Sequence, residues 1–313
     1  MKLISIVTQC YNEEENVEEL YLRIKAQFEN RQCYRHEHIF IDNASTDHTV
    51  SVIKSITVRD PRVKLIVNAR NFGHIRSPLH GILQAKGDAI ITMASDLQDP
   101  PELIGAFIEK WEAGYRIAVG VKPTTKETFA MAIVRALYYK TIGRISEIKL
   151  IPNFTGFGLY DRSVIEIIRK INDPYPYFRG LIAELGIEYA AIPFEQPKRI
   201  RGITKNNFYT LYDMAMLGIT SHSKLPIRLA TMAGFALSII SLGISAIYLI
   251  LKLLFWDYFT FGTAPILISL FFFASVQLFF IGVIGEYVGA IHTQVMNRPL
   301  VIEKERVNFD SDN

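Results

Sequence analysis

Two long uncharged stretches near the C-terminal end constrain this chain more than anything else in its sequence. From Leu229 to Leu251 no side chain carries a charge. As a helix rising 1.5 Å per residue this run is about 34 Å long, enough to cross a hydrocarbon layer of roughly 30 Å. A second uncharged run extends from Tyr258 to Gly285, with FFFASVQLFFIGVIG at its heart, and the link WDYFTFG between them is too short to be a domain. The pair predicts a transmembrane hairpin, against the alternative of a buried soluble helix pair. Lys198, Arg199, Arg201, Lys205, Lys224 and Arg228 precede the first run, and Arg298, Lys304 and Arg306 follow the second, with Lys252 alone near the tip. Cytoplasmic flanks carry the positive excess, so both termini are expected in the cytoplasm and everything before residue 225 is expected to form a cytosolic domain.

That domain has the material for a real core, since half of the 313 residues are apolar. The formal charge of +3 does not argue for nucleic acid. Cys10 and Cys33 are the only cysteines, which suggests reduced structural thiols. The start, MKLISIVTQCYNEEEN, lacks the form of a secretory signal and reads as a first strand. Apolar, β-branched runs recur at 3–8 (LISIVT), 38–42 (HIFID), 63–68 (VKLIVN), 89–93 (AIITM) and 117–121 (IAVGV), with helical stretches between them. Alternation of this kind predicts an α/β domain with a mostly parallel sheet, whose ligands bind beyond the carboxyl ends of the strands. The loops there are TQCYNEEEN, DNASTDHT, ARNFGH and ASDLQDPP. No GxGxxG follows the first strand and no GxxxxGK[ST] occurs, so neither a dinucleotide fingerprint nor a P-loop supplies the site. After residue 121 the alternation fades into helical segments, a Gly and aromatic loop NFTGFGLYDR (153–162), and PYPYFRG (174–180). The run 208–223 reads as an interfacial helix.

Asp99 precedes Pro100, Pro101, Glu102, an amphipathic run and Gly114, a pattern of helix punctuation that predicts Asp99 as the N-cap. Asp96 lies just past a strand in no capping register, where a hard divalent cation would find a carboxylate and share its other positions with water and substrate phosphates. In IDNASTDHT, Ser45, Thr46 or Asp47 can cap the next helix and Asn43 can make an Asx-turn, while Asp42 can accept the N3 proton of a uracil. Neither reading of Asp42 prevails on the residues alone. Glu13, Glu14 and Glu15 suit the N-terminus of a following helix. His36, His38, His74 and His80 match no zinc spacing and read as structural.

Taken together, YNEEENVEELY (11–21), DNASTD (42–47), RNFGH (70–74), GILQAKGD (81–88), SDLQDPPELI (95–104), YFRGL (177–181), RIRGITK (199–205) and the two terminal runs resemble family 2 glycosyltransferases of GT-A fold. The likeness is to bacterial polyprenyl-phosphate glycosyltransferases of the dolichol-phosphate mannose synthase and bactoprenol glucosyltransferase type. It implies a nucleotide-sugar-binding half (1–121), an acceptor-side half (122–206), a juxtamembrane amphipathic helix (207–225), two transmembrane helices (226–290) and a cytoplasmic tail (291–313). Tyr11, Glu13 and Asp42 would line the base and ribose pocket. Asp96, with Gln98 nearby, would hold Mg2+ or Mn2+, making Asp96 the catalytic acid residue. Arg199, Arg201 and Lys205 would meet the acceptor phosphate. The resemblance further implies a bacterial inner-membrane protein, a homotetramer, and inverting transfer of one sugar, UDP-linked where Asp42 meets a uracil, to a polyprenyl phosphate. Another lipid acceptor or an inactive membrane scaffold are the alternatives.

The chain departs from that pattern in three places. Ala94, Ser95 and Asp96 stand where a full DxD is common, Asn43 stands for a second Asp, and Gly156 stands where many relatives carry an acid. A polyprenyl monophosphate is already ionised at neutral pH, its second pKa being near 6, so such a nucleophile needs positioning more than deprotonation.

Overall fold

The computed structural model describes residues 1–29, 31–122, 151–197, 216–217, 225–255 and 263–309. The strand and helix alternation of the first half forms as expected. β1 (Lys2–Cys10), α1 (Val17–Glu29), β2 (Tyr34–Asp42), α2 (Thr49–Arg59), β3 (Val63–Asn68), α3 (Gly73–Gln84), β4 (Ala89–Ala94), α4 (Ile104–Glu112) and β5 (Ile117–Val121) follow in order. Both faces of the sheet are covered, which is why these strands read as continuous apolar runs. Ile4, Ile6, Phe40, Leu65 and Ile91 face α1, α2 and α4, where Leu20, Ile24, Ile53, Ile56 and Phe107 complete one core. Their neighbours Val7, Ile39, Ile41, Ile66 and Ile90 face the opposite side and pack with Leu79 and Ile82 of α3.

The second half differs from expectation in a specific way. NFTGFGLYDR is not a loop: Phe154–Asp161 is strand β6, paired antiparallel with both β4 and β5 in mid-sheet. Its two glycines weaken the strand signal. Gly158 is required there, because a Cβ would lie 2.5 Å from the Ala118 carbonyl oxygen. α5 (Arg162–Ile171), capped by Asp161, and α6 (Phe178–Glu184) then add to the second core through Val164, Ile165 and Leu181. β7 (Tyr189–Pro193) pairs with β5 at the sheet edge, the place where a strand proline is tolerated. With a last strand, β8 (Glu303–Val307), the result is a mixed eight-stranded sheet in the order β7-β5-β6-β4-β1-β2-β3-β8.

Two long helices follow, α7 (Leu225–Leu254, 30 residues) and α8 (Thr263–Val295, 33 residues). Phe272–Val295 is long and apolar enough to cross a membrane, while in α7 the apolar stretch Leu225–Ser241 is shorter. Large apolar side chains such as Met232, Ile239, Ile244, Leu253, Leu270, Leu278 and Phe279 are exposed along both. The tail is not free. β8 (Glu303–Val307) returns to pair antiparallel with β3 at the other sheet edge, Lys54 bonds Glu305 at 2.6 Å, and His80 meets Glu303 at 2.6 Å. Of the interfacial run at 208–223 only Met216 and Leu217 fall among the described residues, and both are helical.

The histidines of β2 are structural, as expected. His36 stacks on Phe28, and His38 is buried with its Nε2 at 3.0 Å from the Thr8 hydroxyl and Nδ1 without a partner. Burial pushes His38 down to about 3, with the neighbouring His36 adding to the effect and Asp60 opposing it. A histidine held neutral in the fold but free to protonate when unfolded near pH 6.5 makes the unfolded state the better proton binder below that value, so stability falls as pH falls. Thermal unfolding of the full chain in detergent should therefore show a midpoint that drops between pH 6.5 and 4.5. His38→Gln should flatten that drop, at up to about 1.4 kcal/mol per pH unit.

Candidate active site

The loops after β1, β2, β3 and β4 gather at one edge of the sheet. Three of them turn through a non-glycine residue of left-handed conformation: Asn12 (φ 56°), Ala44 (φ 62°) and Leu97 (φ 60°). Asparagine tolerates this, but Ala and Leu lose about 1–2 kcal/mol each by it. The strain is held by bonds between loops. The Asn12 N–H donates to Ser45 Oγ at 2.9 Å, and its side-chain oxygen accepts from the Thr46 N–H at 2.8 Å. The Glu14 carboxylate accepts from the His48 N–H at 2.7 Å, and Asp47 accepts from both the N–H and the hydroxyl of Thr49, the first residue of α2, whose N-cap position His48 makes no side-chain cap bond.

Asn43 makes no Asx-turn and does more. Its Nδ2 donates to Asn71 Oδ1 and to the Gly73 carbonyl, and its Oδ1 accepts from the Phe72 N–H and from Asn68 Nδ2. An aspartate cannot supply the donor half of that network, which is the physical reason for an amide at this position. Asp42 is fully buried, and both of its oxygens accept from Ser45, one from the N–H at 2.9 Å and one from the hydroxyl. Burial raises its pKa, partly offset by those bonds. Glu13 is also buried, accepting from Asn16 Nδ2 at 2.6 Å, and its carbonyl accepts from the N–H groups of Asn16 and of Val17, the first residue of α1. Tyr11, two residues before Glu13, is half-buried.

The loop after β4 contains the candidate metal site. Asp96 is half-buried, and its Oδ1 accepts from the Gln98 N–H at 3.1 Å across the left-handed Leu97. Asp96 and Gln98 together offer hard oxygen donors of the kind that Mg2+ and Mn2+ take. Among the described residues no group of three or more His, Cys, Asp and Glu is placed to hold an ion. An ion held at this loop would take the Asp96 carboxylate and leave its other positions to substrate phosphates and water.

Asp99 corrects the sequence expectation. It is not a cap. The chain enters α4 through a 3-10 turn (Pro101–Leu103) preceded by Pro100, with no side-chain cap bond. Pro100 and Pro101 have no N–H, so the donors a capping carboxylate would use nearest to it are missing. The Asp99 side chain instead turns inward, 7% exposed, and accepts from the Ala94 N–H at 2.9 Å. Burial pushes it up to about 6, the Ala94 bond opposing this and the nearby charge of Asp96 adding to it.

Asp99 lines a cavity of about 370 Å3 between the ends of β1, β4 and β6 and the segment before α6. Gln9, His74, Gly156, Tyr177 and Arg179 share it. Gly156 has a φ of +105° that a side chain would find strained, and its carbonyl accepts from Thr92 and Tyr160 hydroxyls at 2.5 and 2.8 Å. Arg179 lies over the Tyr177 ring, 5.4 Å from its centroid. Sequence reading missed both Asp99 and Arg179 as site residues, although YFRGL and QDPP had been singled out as motifs. Arg199, Arg201 and Lys205 lie outside the described residues.

A strained loop edge over the carboxyl ends of parallel strands, with a small chamber beside it, is where an α/β fold of this class binds ligands. Residues 5–168 match the model of the glycosyl transferase family 2. An uncharacterized glycosyltransferase of Bacillus subtilis is 34% identical over 310 residues, covering 98% of this chain and 95% of that protein. The bactoprenol glucosyl transferase of Shigella phage SfII is 34% identical over 303 residues, covering 96% of this chain and 97% of the phage protein. Among solved structures, a mannosyltransferase from Pyrobaculum calidifontis in complex with GDP-Man and Mn2+ aligns with a TM-score of 0.48 at 17% identity, covering 94% of this chain and 86% of that one. The chain belongs to glycosyl transferase family 2 and is a glycosyltransferase.

The amide network at Asn43 yields a sharp test. Asn43→Asp changes no volume, yet it turns two donated bonds into facing acceptors and adds a charge to a side chain only 7% exposed. The variant should lose about 1–3 kcal/mol of stability at neutral pH, read as a lower denaturation midpoint.

Proposed function

We propose that this protein moves one sugar from a nucleotide sugar, UDP-linked, to a polyprenyl phosphate on the cytoplasmic face of a bacterial inner membrane. The likeness to bactoprenol glucosyl transferases over nearly the whole chain, helices included, carries this reading. The fold supports the membrane arrangement independently. The chain leaves the catalytic sheet before α7 and rejoins the same sheet as β8 after α8. If it crosses a bilayer, it must do so an even number of times, so α7 and α8 form a hairpin with both flanks on the cytoplasmic side. At 30 and 33 residues they are about 45 and 50 Å long, ample for that. A Cβ added at Gly282, Gly285 or Gly289 meets nothing within 4 Å among the described residues. They line a pocket shared with Asp173, Tyr175, Met216 and Leu217, and small residues of this kind allow close helix approach within one chain or between copies in a homo-oligomer such as a tetramer.

In this reading the base and ribose lie over Tyr11, Glu13 and the Asp42 turn, where Asp42 shapes the pocket through Ser45. Asp96 and Gln98 hold Mg2+ or Mn2+, which when bound supplies counter-charge to the leaving nucleoside diphosphate. Arg199, Arg201 and Lys205 neutralise the acceptor phosphate, which would otherwise repel the donor's diphosphate. A phosphate oxygen of the lipid forms its bond to the anomeric carbon on the face opposite the diphosphate. The carbon–oxygen bond to the diphosphate breaks and its electron pair leaves on the β-phosphate, giving inversion. No proton has to be removed, so the absence of a side chain at Gly156 leaves the step intact.

Purified full-length protein given labelled UDP-hexoses should transfer label to extractable polyprenyl phosphate and not to diacylglycerol. Asp96→Asn should lower that transfer about 100-fold or more. Transfer only to the neutral lipid, or equal turnover by the variant, would remove the proposal.

A further inference from the structure

A nucleotide sugar is linear in its parts, and the sheet imposes an order on them. In the reading above, which this inference rests on, the base lies over the end of β2 and the diphosphate over the loop after β4. The strands stand in the order β6-β4-β1-β2. Continuing the same line beyond the diphosphate brings the sugar to β6, and the cavity of about 370 Å3 is found at that place. Its size is at the small end of pockets that hold drug-sized ligands, and its walls combine apolar surface from Met93, Pro176 and Phe178 with few polar groups.

Among the described residues that line this chamber, Asp99 is the one carboxylate. It is more than nine-tenths buried, and the hydrogen bond that it accepts from the Ala94 N–H falls on Oδ2. A carboxylate offers about four lone-pair sites, so acceptor capacity is left for a ligand that brings its own donors. Hydroxyl groups are such donors, and a buried carboxylate bonds them more strongly than a neutral acceptor would. A phosphate is not, since it would meet Asp99 as a like charge. The groups that face Asp99 electrostatically are Asp96 on its own loop and Lys122 after β5, and Arg179 faces the chamber from α6.

We infer that Asp99 reads the transferred sugar: its carboxylate accepts hydrogen bonds from hydroxyl groups of the hexose in the chamber formed by β4, β6 and the segment before α6, and thereby selects among hexoses. The Ala94 bond fixes the carboxylate in place for that task.

The test uses the full-length enzyme in detergent and the isosteric variant Asp99→Asn, whose amide oxygen can keep the Ala94 bond. Calorimetric binding of UDP alone should change less than about twofold, while kcat/KM for the hexose preferred among UDP-glucose, UDP-galactose and UDP-N-acetylglucosamine should fall at least about tenfold, the loss typical of a bond to a charged group. Preference across the three donors should flatten. On the unaltered enzyme, one monodeoxy donor should lose a similar factor and lose little more on Asp99→Asn. Equal losses for UDP and for the UDP-hexoses would assign Asp99 to the loop's shape and overturn the inference. Unchanged preference in the variant would overturn it as well, as would a deoxy series in which no single hydroxyl matters to the unaltered enzyme. If the unaltered enzyme binds neither UDP nor any UDP-hexose, the donor reading itself fails and this inference falls with it.

Discussion

Parallel pairing of β1 with β2 on one side and with β4 on the other is the interaction on which the site depends. Cys10 stands opposite Asp42 and Gln9 opposite Ala94, so the three strands end within a residue or two of one another. Their loops have no choice but to leave the sheet side by side. That proximity lets Asn12 bond the Ser45 turn and Glu14 bond His48, and those bonds hold left-handed Ala44 in a conformation that it would not choose alone. β6 runs the other way, so its beginning, not its end, lies beside the end of β4. Gly156 and Asp99 are neighbours for that reason.

The second constraint is the return of the chain. A strand that follows α8 completes the sheet at β3, and its contacts reach further than backbone pairing. Glu303 meets His80 and Arg306 meets Gln84, both on α3, whose earlier turns from His74 to Ile82 line the chamber. Asn308 donates to the Thr57 and Val63 carbonyls, closing the same edge. The end of the second long helix is thus only a few residues from a fixed point on the catalytic domain. Surface ion pairs of this kind contribute little singly. The backbone ladder gives the edge its register and the ion pairs orient α3 within it.

The strands of the first half were legible because burial on both faces leaves little but apolar residues, and the runs at 38–42 and 63–68 could hardly be anything else. Glycine hid β6, since FTGFGLYD combines a positive φ at Gly156 with a backbone approach at Gly158, and both look like loop chemistry in a sequence. β8 was hidden differently. EKERV has no apolar alternation, and its partner lies more than two hundred residues earlier. In the β4 loop, Asp96 stands out in the sequence because nothing else explains it, whereas Asp99 reads wrongly as a cap because helix punctuation does explain it. Two successive prolines satisfy the pattern of a helix start while removing the N–H groups that a cap would serve, and only the fold shows where the carboxylate went instead.

The sparseness of acids at this site becomes intelligible from the charges that the proposed reaction brings in. Donor diphosphate and acceptor phosphate together bring several negative charges to one place, and every additional carboxylate facing them would raise the barrier to their approach. Gly156, its carbonyl tied down by Thr92 and Tyr160, presents a backbone dipole and no charge to the chamber. Asn43 similarly holds its loop by amide bonds where an acid would add charge. Asp42 and Glu13 are buried and bonded within the loops. Of the acids in the loop after β4, Asp96 lies at the rim, where an ion would answer its charge, and Asp99 at depth, beside the uncharged sugar of the proposed reading. A nucleophile that arrives ionised needs no base, so a site serving it can do without one, and the charge balance favours that outcome.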